Sequence, residues 1–61
     1  MIEFIVDRCW NGGDDTYYRI TMELDGEVID SYRKSYNYED AIETLLADNG
    51  LQGEEYIVNE N

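Results

Sequence analysis

At 61 residues the chain has room for one domain, spanning 1–61, at a size where a single apolar core is only just sufficient. Fifteen acidic side chains stand against four basic ones with no histidine, a formal charge of −11 that disfavours direct contact with DNA, RNA or anionic lipid. Cys9 is the single cysteine, which excludes an intrachain disulfide and points to a reducing, cytoplasmic setting.

Ile2 to Arg8 reads as a strand, rich in β-branched residues, with Ile2, Phe4 and Val6 on one side and Glu3, Ile5 and Asp7 on the other. The same segment lacks the basic start and small-residue cleavage site of a signal peptide, and no apolar run reaches the length of a membrane span. Asn11 to Asp15 breaks the pattern as a loop.

Thr16 to Leu24 alternates most clearly: Tyr18, Ile20, Met22 and Leu24 form one face, Tyr17, Arg19, Thr21 and Glu23 the other. Asp25-Gly26 follows, the dipeptide of a two-residue type I′ hairpin. That turn sets Leu24 opposite Glu27, Met22 opposite Ile29 and Ile20 opposite Ser31, so Glu27 to Lys34 becomes the third strand. A three-residue turn would instead set Met22 against Val28 and Ile20 against Asp30, a poorer match.

Tyr38, Ala41, Ile42, Leu45 and Leu46 follow the spacing of an amphipathic helix. Asn37 caps its start, Glu39 and Asp40 favour the positive dipole end, and Tyr36 stands at the staple position across from Ala41. Gly50 suits a left-handed cap with Leu51 covering the last turn, while Asp48 opposes the dipole. Glu54 to Asn59 is a short fourth strand, and residues 59–61 are expected to fray.

The fold class is therefore α+β: a small antiparallel or mixed β-sheet with one helix packed on one face, in the order β-β-β-α-β. A right-handed crossover returning the last strand beside the first gives the spatial order 3-2-1-4. The expected core is Phe4, Val6, Tyr18, Ile20, Met22, Ile29, Ala41, Ile42, Leu45, Leu46 and Val58. Ile5, Tyr17, Val28 and Tyr32 are expected on the face opposite the helix.

No catalytic signature emerges, and the chain reads as a non-enzyme. Histidine is missing, Ser31 and Ser35 have only Lys34 nearby, and Cys9 is flanked by Asp7 and Arg8 with opposing influence on its thiol. Close carboxylates such as Glu39 and Glu43, Asp14-Asp15 and Glu54-Glu55 arise by chance in so acidic a chain. Zinc and iron–sulfur sites lack their ligands, and no metal or cofactor is expected. Asn11, Asp14 and Asp15 are hard oxygen donors, yet their spacing departs from the helix-flanked calcium loop and reads first as a solvated turn. Arg8, Arg19, Arg33 and Lys34 are too few for direct nucleic-acid binding.

The acids themselves are the strongest functional signal. Glu39, Asp40, Glu43 and Asp48 lie off the apolar helix stripe; Glu23, Asp25, Glu27 and Asp30 cluster along the hairpin. Like charges at such spacings repel, but a basic surface shaped for DNA phosphates attracts them. In size and composition the chain resembles the small phage-encoded inhibitors of nucleases, restriction or CRISPR effectors, uracil-DNA glycosylase and RNA polymerase. No motif of those inhibitors aligns with it, so no residue role is transferred. The resemblance implies a protein-binding inhibitor that mimics DNA on a basic nucleic-acid-binding partner: a nuclease, CRISPR effector, repair enzyme or polymerase. Trp10, Tyr17 and Tyr32 are the candidates for short-range contacts to that partner. The alternatives are a homodimeric structural or regulatory module, and acids that merely cover a solvated face.

Overall fold

The computed structural model describes residues 1–10, 12, 13 and 15–61. Asn11 and Asp14, two of the three candidate cation donors, lie outside the described residues. Four strands, β1 (Ile2–Trp10), β2 (Thr16–Leu24), β3 (Glu27–Ser35) and β4 (Tyr56–Glu60), and one helix, α1 (Tyr38–Asp48), follow the expected order. The sheet order is β3-β2-β1-β4. β1 and β2 pair antiparallel from Ile2 opposite Leu24 to Trp10 opposite Thr16, and β4 pairs parallel to β1 with Tyr56 opposite Ile2.

Asp25 and Gly26 both have positive φ, 52° and 87°, as the type I′ turn requires. The register begins as expected with Leu24 opposite Glu27, then departs from it. Nine residues of β3, 27 to 35, span the seven of β2 from 24 back to 18, so 9 − 7 = 2 extra residues are absorbed at two bulges. The first makes Asp30 rather than Ile29 the partner of Met22, and Ile20 then faces Tyr32.

This shift corrects two expectations. Ile29 is pushed out at the bulge and is 39% exposed instead of joining the core. Tyr32 moves to the helix side and packs against the core, so it does not belong with Ile5, Tyr17 and Val28 on the opposite face. Val58 also leaves the expected core, at 37% exposed, because the helix lies over β2 and β3 and leaves β4 uncovered. Tyr18 is half-buried against the core rather than within it. Ile2, absent from the expected core, is buried because central β1 is flanked on both sides.

The buried set is Ile2, Phe4, Val6, Ile20 and Met22 from the sheet with Ala41, Ile42, Leu45 and Leu46 from the helix. Phe4 is further closed by the edge of the Tyr56 ring, centroids 5.3 Å apart. At the helix start the Asn37 side chain accepts from the Glu39 amide at 3.1 Å. Tyr36 does not form the expected staple: its ring is exposed and lies 5.7 Å from the Lys34 ammonium. At the other end Gly50 has φ 68°, with Leu51 N–H donating to Leu46 C=O at 2.8 Å and Gly50 N–H to Ala47 C=O at 3.2 Å, the paired bonds of a Schellman cap.

Asn59 and Glu60 sit in the β4 ladder, and Asn61 donates its amide to the Val6 carbonyl at 2.9 Å. Its side chain donates to Asp7 at 2.9 Å. Among the described residues, no helix is long and apolar enough to cross a membrane.

Candidate acidic interaction surface

The strand registers divide the molecule into two ends. One holds the Asp25-Gly26 turn, the start of β1, the helix carboxyl end and the segment leading into β4; the other holds Trp10, Ser35 and the helix start. The turn end carries Glu3, Glu23, Asp25, Glu27, Asp30, Asp48, Glu54 and Glu55, eight of the fifteen acids. No lysine or arginine lies there. Arg8, Arg19, Arg33 and Lys34 all fall at the far end, among Asp7, Asp15, Glu39, Asp40 and Glu60. Glu43 occupies the middle of the helix.

Topology creates this asymmetry. Glu3 belongs to the acidic end because Glu3 pairs with Glu23, placing two carboxylates directly opposite on the helix-free face. Such like-charge pairs are destabilising. The Asn59 amide donates to Glu3 and partly relieves it. Glu54 and Glu55 arrive because β4 starts beside Ile2. Neither placement was legible without the β1–β2 and β1–β4 registers.

Several expected contact residues have structural partners. Asp30 accepts from the Asn49 side chain at 2.9 Å and from the Ser31 amide at 2.8 Å, and these bonds hold its carboxyl below the ordinary value despite some desolvation. The same Asn49 amide donates to the Leu45 carbonyl at 2.8 Å, so Asp30 ties β3 to the helix end. Asp25 pairs with the Met1 ammonium, the only ion pair among the described residues. Tyr32 is half-buried on the core, and Tyr17 is half-buried with Lys34 5.2 Å from its ring centroid.

The remaining candidates face solvent. Glu27, Glu39, Asp40, Glu43 and Asp48 are exposed, and Trp10 is 72% exposed while its indole donates to the Gly13 carbonyl. Glu39, Asp40 and Glu43 lie on the outward side of the helix, and Glu23 lies on the opposite face of the sheet. Asp48 follows them to the helix end, where Asn49 meets Asp30. Exposed acids thus occur along the outward side of the helix and at the turn end, while Trp10 and Tyr17 stand at the far end.

At that far end the Tyr38 phenol lies beside Glu60, which raises its pKa by hydrogen bonding and then by charge. Tyr18 packs edge-on against the same ring at 5.2 Å. Cys9 is half-buried and its thiol lies 3.8 Å from the Asp7 carbonyl. Among the described residues no cluster of three or more acidic, histidine or cysteine side chains is arranged to hold a metal ion. No protein-family model, curated protein or solved structure matches the chain.

Proposed function

We propose that the protein is a small inhibitor that occupies the nucleic-acid-binding surface of a basic protein, acting as a mimic of DNA through its acidic end and outer helix face. The observation that carries this reading is the separation of charge: eight carboxylates at one end with no lysine or arginine among them. Folding alone favours the reverse arrangement, since interspersed charges of both signs reduce self-repulsion.

A concentrated negative end has a direct physical use. It steers the protein toward a basic channel, raises the association rate and makes binding fall with salt. The overall dimensions, 35 × 19 × 15 Å, let the long axis enter such a channel end first. Nucleases, CRISPR effectors, repair enzymes and polymerases present surfaces of this kind.

Affinity capture from cells, with washes at stepped salt concentrations, tests the reading when run beside a variant carrying Glu23→Gln, Glu27→Gln, Asp48→Asn, Glu54→Gln and Glu55→Gln. The expected result is a nucleic-acid-handling protein that is released by added DNA and is not retained by the variant. Partners that persist on the amide variant and ignore added DNA would contradict it.

A further inference from the structure

The two edges of the sheet are built differently. β3 has two bulges and carries Glu27, Asp30, Arg33 and Lys34, devices that discourage another strand from pairing with it. β4 has none of these over Tyr56-Ile57-Val58: no lysine, no proline, no bulge, and apolar side chains on both faces. Tyr56 and Ile57 are each 43% exposed.

Backbone polarity sharpens the contrast. Asn61 N–H bonds the Val6 carbonyl, and in a parallel ladder the N–H and C=O of one residue face the same neighbour while those of the next face away. Ile57 and Asn59 therefore bond β1, and Tyr56, Val58 and Glu60 present three N–H and three C=O groups outward. Among the described residues no strand pairs with that edge.

Beside the start of β4, on the helix side, is a cleft lined by Glu43, Leu46, Gln52, Gly53, Glu54 and Tyr56. A lining that combines Leu46 and Tyr56 with two glutamates suits a lysine or arginine, whose apolar stem can pack on Leu46 and Tyr56 while its charged head meets Glu43 and Glu54. Glu55 and Glu60 flank the strand with further negative charge. A second copy brings another −11 to this edge, whereas a basic segment brings complementary charge.

We propose that the free edge of β4 accepts an extended segment of a basic protein as a fifth strand, with a lysine or arginine of that segment held between Glu43 and Glu54. The inference rests on the reading of the target as a basic protein and names how one of its segments is held. Main-chain bonds supply the affinity, and the cleft selects the side chain.

A short peptide alternating lysine and valine is the probe, with a peptide of equal length and charge alternating lysine and proline as control. The valine peptide should bind at least about tenfold more tightly and slow hydrogen exchange at the amides of Tyr56, Val58 and Glu60. Val58→Pro removes an outward N–H that the fold does not use, and should abolish the preference with circular dichroism unchanged. Glu43→Gln with Glu54→Gln should weaken the valine peptide more than the control. The exchange pattern of the unaltered protein gives the same answer if Val58→Pro fails to fold.

Equal affinity for both peptides without protection of β4 would overturn strand addition and leave the acidic-end reading untouched. Protection of the β4 amides without peptide, in a protein sedimenting as a dimer, would overturn it in favour of a second copy. Conversely, strand addition with no displacement of partners by DNA would count against DNA mimicry alone.

Discussion

Asp30 shows how one residue can be assigned to a surface by its charge and to the fold by its bonds. Sequence placed it in an acidic cluster; the first bulge turns it toward the helix, where Asn49 and the Ser31 amide hold its carboxylate. Because its folded pKa is lowered, its stabilising contribution is present above the unfolded value of about 3.9 and is lost as pH falls through the folded one. Urea unfolding of Asp30→Asn beside wild type should show wild type more stable at neutral pH, with the gap closing below about pH 4. A gap that persists in acid would show that the charge is not what the bonds hold. Tyr38 has the opposite sign: its raised pKa makes its contribution complete below about 10 and lost as pH rises further.

The Glu3–Glu23 pair is the residue-scale feature that most plainly opposes stability. Replacing Glu23 with threonine removes the repulsion and fits a pleated surface, so thermal denaturation should show a gain of about 0.5 kcal/mol. A loss on this substitution would mean that Glu23 has a stabilising contact. If the gain appears together with weaker partner capture, the carboxylate is retained for binding at a measurable penalty in folding.

Among the elements, the helix was the most legible. Its start at Asn37, its stripe of Ala41, Ile42, Leu45 and Leu46, and its Gly50 ending all lie in local spacing and capping chemistry. Leu45 is 2% exposed, and Leu45→Ala should destabilise by about 2–5 kcal/mol in denaturant titration, enough to unfold much of so small a domain. A smaller loss would mean that the sheet can collapse onto the helix. The β-hairpin turn was equally visible, but the bulges beyond it were not. Ile29 alternates properly with its neighbours in sequence, and only the need for Asp30 and Tyr32 to face the helix reveals the extra residue. For Val58 the missing information was which strands the helix covers. Asn59, Glu60 and Asn61 join β1 through bonds that no local pattern encodes.

For the whole molecule, what sequence gave was an amount of charge, and what the fold adds is direction. The hairpin and helix acids were visible, but Glu3, Glu54 and Glu55 join them only through long-range pairing, and the basic residues are collected at the opposite end by the same registers. Self-repulsion over a body 35 Å long is strong at low ionic strength, where the Debye length is about 30 Å at 0.01 M, and weak at 1 M, where it is about 3 Å. Melting temperature should therefore rise with sodium chloride, by about 4–8 °C for each kcal/mol of repulsion removed. A flat or falling salt dependence would mean that the carboxylates do not strain the fold.

The central claim is that the acidic end and a nucleic acid compete for one surface of a basic partner. With that partner purified, binding of labelled duplex DNA measured while this protein is titrated in, at two salt concentrations, tests the claim most directly. Mutually exclusive occupancy is the expected result, with an apparent affinity that falls as salt rises and is lost in the amide variant. A stable ternary complex of partner, DNA and this protein, indifferent to both salt and the amide substitutions, would contradict it.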